Sequence, residues 1–81
     1  MHQHHHPRSA AVEIGLRLKT RRLEVGLTPA QFAERLGVAA ERIQELESGM
    51  AALKVPELAR LCSALQVRPM WIFEGLSLAL P

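Results

Sequence analysis

Glycines and prolines divide this chain into short pieces. Gly26, Gly37 and Gly49 each follow a segment whose apolar residues recur at helical spacing, and Pro29, Pro56 and Pro69 each stand where a new segment opens. Glycine suits the left-handed residue just past a helix end, and proline suits the first helical position, where its missing N–H has no partner to lose. No piece alternates apolar and polar residues as a half-buried strand does. The chain therefore reads as all-α, a compact five-helix bundle.

The first helix is predicted from Ala10 to Val25. Ala11, Ile14, Leu18, Arg22 and Val25 share one face, and Val12, Leu16 and Leu23 form a narrower stripe nearly opposite. The second helix has the clearest start. Thr28 caps it, Pro29 takes the first position, Gln31 completes a capping box, and Leu27 and Phe32 stand at the ends of a hydrophobic staple. It stops at Gly37, leaving only Val38 and Ala39 before a third helix, Ala40 to Ser48, with Ile43 and Leu46 inward. Two short helices joined by a glycine-containing turn are what a helix-turn-helix requires. A fourth helix begins near Pro56 with Leu58, Leu61, Cys62 and Leu65 at core spacing, and a short fifth, PMWIFEG, carries Trp71, Ile72 and Phe73. The expected core is Ile14, Leu18, Phe32, Ile43, Leu58, Leu61, Leu65 and Trp71.

At 81 residues there is room for one domain. The start MHQHHHP reads as a purification tag or a disordered arm rather than a metal site, so residues 1–9 are set apart from a domain at 10–76 and an apolar tail at 77–81. No run of about 18 apolar residues is present to span a membrane, and no apolar stretch follows the basic start as in a secretory signal. From residue 9 onward nine Lys or Arg face eight Glu, so any polyanion partner must be argued from where the charges lie. Cys62 is the single cysteine and reads as a small buried hydrophobe; a chain without a disulfide pair fits the cytoplasm. No nucleophile–base pair, metal constellation or phosphate loop is visible, so neither an enzyme nor a cofactor is expected.

Residues Ile14 to Gly75 resemble the Cro-like (xenobiotic-response-element type) helix-turn-helix repressors, with a lambda-repressor-like DNA-binding domain. The matching pieces are IGLRLKTRR, GLTPAQFAERLGV, IQELESG, ELARLCSALQV and WIFEGL, in the family's order and spacing. The resemblance implies a transcriptional regulator, of the repressor kind, that binds double-stranded DNA and reads the major groove with the third helix. It also implies a structural salt bridge between Arg22 and Glu47, in line with the place of Arg22 on the core-facing stripe. The base-reading residues it implies are Ala40, Glu41, Gln44 and Glu45, with Arg42 at the flank. Phosphate contacts fall to Thr28, Pro29 and the following N–H groups, with Lys54 the one cation left in the loop after the third helix.

Several residues depart from that pattern. Glu41 and Glu45 lie one turn apart on the outward stripe, facing a polyanion, though a carboxylate accepts from cytosine N4. Arg42 pairs with Glu45 or meets a base. Pro29 stands where the family usually has Gln, and Met50, Ala51 and Ala52 where a basic residue usually follows the glycine. Arg17 and Arg21, with Lys19 at the same level, are either a solvated face or phosphate contacts. A second reading is therefore a helix-turn-helix domain reused for protein contact without DNA binding. The surplus apolar residues Val12, Leu16, Leu23, Leu76, Leu78 and Leu80 point to a homodimer through the fifth helix and tail, the alternatives being a tail folded back on its own chain or a further segment that covers both. No small-molecule effector is readable.

Overall fold

Local chemistry sets the starts of the first two helices and the glycine stops of the first three in the computed structural model, which describes residues 9–76. The helices are α1 (Ala10–Val25), α2 (Pro29–Leu36), α3 (Ala40–Ser48), α4 (Val55–Leu65) and α5 (Pro69–Phe73). Ser9, grouped with the arm in the sequence reading, caps α1: its Oγ accepts from the Val12 N–H at 3.2 Å. At α2 the Thr28 Oγ1 accepts from the Gln31 N–H at 3.1 Å, while the Gln31 Oε1 accepts from the Thr28 N–H at 2.9 Å. This reciprocal box satisfies two orphan donors of the helix start. α4 opens one residue earlier than expected, at Val55, and ends on Gln66 with φ 56°, a left-handed stop made without glycine.

The core gathers Leu18, Phe32, Leu36, Ile43, Leu61, Leu65 and Ile72, all fully buried. Leu27 and Phe32 of the staple are both inside. Ile14, Leu58 and Trp71 pack against this core while remaining partly open. On α5 it is Ile72, not Trp71, that is buried completely, because the inward face of a single helical turn has room for one residue. Cys62 is buried in the same cluster, and that burial pushes its thiol pKa up.

Two glycines set the distance between α1 and α3. A Cβ on Gly15 would stand 2.6 Å from the Glu47 carbonyl oxygen, nearer than real Cβ atoms approach. Gly49, with φ 79°, turns the chain out of α3 directly over α1: a Cβ there would lie 2.7 Å from the Val12 Cα. Val12 therefore belongs to the α1–α3 contact rather than to the surplus stripe. Leu16 and Leu23, 43% and 60% exposed, remain on the outside. The His-rich start and the tail residues Leu78 and Leu80 lie outside the described residues.

Candidate nucleic-acid interface

α2 and α3 are joined by the three residues 37–39, and the Val38 N–H donates back to the Ala33 carbonyl at 3.0 Å, which tightens the turn. Ile43 and Leu46 sink into the core, so α3 turns its opposite side outward. Ala40, Glu41, Gln44, Glu45 and Ser48 are all exposed there. Pro29, at the start of α2, lines a shallow cleft with Ala40, Glu41 and Gln44, so the α2 N-terminus and the outer face of α3 form one continuous surface.

The orientation of that face is held by two arginine–glutamate pairs. Arg22, only 5% exposed, donates from Nε to Glu47 Oε2 at 2.6 Å and from Nη2 to Oε1 at 3.1 Å, and its Nη1 reaches the Leu27 carbonyl at 2.9 Å. One side chain thus joins the end of α3, the end of α1 and the approach to α2. The second pair links α3 to α4. Arg42 donates from Nε and Nη2 to the two oxygens of Glu57, both at 2.8 Å, and from Nη2 to the Ala52 carbonyl at 2.9 Å. Glu57, 7% exposed, also accepts from the Lys54 N–H at 2.9 Å. The hydrogen bonds from Arg42 hold the Glu57 carboxyl below its usual pKa, and the same bonds raise that of Arg42.

Residues 13–69 match the family described as a helix-turn-helix domain. The chain belongs to that family. Among solved structures it is similar to the clp gene regulator ClgR from Corynebacterium glutamicum, 25% identical with a TM-score of 0.80 over 84% of this chain and 72% of that one. It is also similar to the P22 c2 repressor protein, solved in complex with synthetic operator 9T, at 26% identity and a TM-score of 0.72 over 76% of this chain and 94% of that one. The restriction-modification controller protein C.AhdI from Aeromonas hydrophila, 24% identical, shares the fold with a TM-score of 0.76 over 82% of this chain and all of its own. The Cro-type, lambda-repressor-like fold expected from the sequence is the fold observed.

The helix-turn-helix domain distributes its charges in a specific way. The Arg17 Nη1 donates to the carbonyls of Trp71 and Ile72 at 2.9 and 3.2 Å, and the Arg21 Nε to the Leu65 carbonyl at 2.9 Å. Both arginines fasten the ends of α5 and α4 to α1, because the last carbonyls of a helix have no partner within it. Arg42 lies 3.8 Å from Glu45, but its short bonds go to Glu57. At the α2 start the Thr28 N–H is taken by Gln31 and Pro29 has none, so Ala30 offers the free N–H of the three. Lys54 is exposed where the α3–α4 loop ends. Three features escaped the sequence reading. Glu57 had a faint signal, an acid three residues past the α4 cap; Gly15 had one in its lack of a side chain on the core side of α1; the nearness of Lys19 to α3 had none.

Proposed function

We propose that this domain is a sequence-specific double-stranded DNA-binding transcriptional regulator of the repressor kind, acting by binding rather than by catalysis, in the cytoplasm and as a homodimer. The observation that carries the reading is the outward face of α3. It is continuous with the α2 N-terminus and rigidly aimed by the Arg22–Glu47 pair. A helix presented in this way fits the major groove, with Ala40, Glu41, Gln44 and Glu45 toward base edges. Gln44 is suited to adenine and the two glutamates to cytosine N4. Thr28, Pro29 and the Ala30 N–H lie where a phosphate would pass. Similarity to the P22 c2 repressor protein, solved with its synthetic operator, supports the same mode.

Met70 and Phe73, exposed on α5, supply apolar surface for the dimer, and Leu16 and Leu23 on α1 are further exposed apolar side chains. A two-fold pair would meet two half-sites about one DNA turn apart. Sedimentation from low to high micromolar concentration checks the assembly; a monomer throughout contradicts it.

One observation favours a second reading, protein contact without DNA. Arg42 is drawn back into Glu57, which leaves Glu41 and Glu45 as the charges on the face of α3. A gel shift against genomic fragments at rising salt separates the two: DNA binding appears at low salt and weakens as salt rises, whereas a protein-contact domain shifts no fragment.

A further inference from the structure

The cations of the described residues divide by what holds them. Arg22 and Arg42 are paired with carboxylates, Arg17 donates to helix-end carbonyls, Arg21 to the Leu65 carbonyl and to Glu24 at 3.3 Å, and Arg60 to the Leu36 carbonyl at 3.3 Å. Lys19, Arg35, Lys54 and Arg68 make no ion pair and no side-chain hydrogen bond among the described residues. Arg35 lies with Arg60 and Ser63 in a shallow cleft between α2 and α4, and Arg68 with Gln66 and Glu74 in one beside α5. Both are away from α3.

Lys19 is placed otherwise. It lies exposed on α1, and with Gln44, Glu47 and Ser48 of α3 it lines one shallow surface cleft. The carboxylate in that cleft, Glu47, already has both oxygens on Arg22, so it leaves the ammonium uncompensated. Gln44 and Ser48 belong to the outward stripe of α3. A strand backbone running beside that stripe would pass the Lys19 ammonium, a compact point charge on a flexible stem suited to a phosphate. Arg17 and Arg21, its neighbours on α1, are held by carbonyls instead.

We propose that Lys19 is a phosphate-contact residue of the α3 surface, alongside the Lys54 contact expected from the sequence. This rests on the DNA-binding reading above. It has a quantitative consequence. Two neutralised phosphates per protomer give a slope of log affinity against log salt of about −1.8, or about −3.6 for a dimer, against about −5 to −9 for proteins with six to ten phosphate contacts.

The test is fluorescence anisotropy of the full chain with a labelled 20-base-pair duplex of mixed sequence, from about 50 to 200 mM NaCl, a range over which such slopes are well resolved. Lys19→Ala should weaken binding about tenfold at the low-salt end for each protomer bound, so about a hundredfold for a dimer, and flatten the slope by about 0.9 per protomer. Lys19→Arg should keep both. Arg17→Ala should lower the melting temperature and leave the slope as in the wild type. A wild type that binds while Lys19→Ala superimposes on it overturns the Lys19 assignment alone. A wild type that shows no binding at low salt overturns the DNA reading, and this inference with it.

Discussion

The two flanks of α3 are held by the same chemical pair in different settings. Toward α1, backbone nearly touches backbone over Gly15, and the Arg22–Glu47 pair lies beneath with side chains 6% and 10% exposed. Toward α4, the link runs through the long Arg42 side chain to Glu57, with side chains 17% and 10% exposed. The first contact fixes the distance and angle of α3 and leaves no slack. The second fastens the flank and draws a cation away from the outward face. Stability and surface chemistry are thus set on opposite sides of one nine-residue helix.

Breaking the α1 flank should have the largest effect. Arg22→Ala strands the Glu47 carboxylate and opens the Leu27 carbonyl, and should cost about 3–5 kcal/mol, as when one partner of a buried pair is removed. A thermal melt within a degree or two of wild type would show that the pair does not hold the fold. Gly15→Ala tests the same flank by sterics. Its methyl group meets backbone carbonyls that have no rotamer to escape into, so α1 and α3 must part at a cost of about 1–3 kcal/mol. A neutral substitution would place slack where the structure has none.

The α4 flank should respond less. Glu57→Gln removes the charge facing Arg42 and should cost about 1.5 kcal/mol, the lower end for a hydrogen bond to a charged group. The Glu57 pKa is lowered in the folded state, so its contribution is fully present above the ordinary glutamate value of 4.5 and is lost as the pH falls through its depressed folded value. The gap between wild type and Glu57→Gln in denaturant titrations should therefore shrink below pH 4.5. A gap that is constant down to that range and beyond would show that the charge is not what Glu57 contributes.

Much of this architecture is legible in the residues themselves. The α2 start needs only Leu27, Thr28, Pro29, Gln31 and Phe32, because capping and stapling are local interactions between near neighbours. Glycines announce the ends of the first three helices for the same reason. Gln66 gives no such notice, since a left-handed stop at a non-glycine residue depends on surrounding packing. The partners of the arginines were legible only in part. Arg22 stands on an apolar face and so demands an anion, whereas Arg42 stands at a flank where Glu45 and a base are equal candidates by spacing. Glu57, fifteen residues on, comes within 2.8 Å only once α4 folds against α3. The roles of Arg17 and Arg21 were hidden likewise: their carbonyl partners lie more than forty residues away.

The claim at the centre of this account, that the outer face of α3 reads DNA bases, is tested most directly by selecting bound duplexes from a random pool with the wild type and with Gln44→Ala. The wild type should enrich two related half-sites about 10 base pairs apart, and Gln44→Ala should still bind but lose preference at one position in each half-site. A wild type that enriches no motif, or a variant that returns the same motif unchanged, would contradict it.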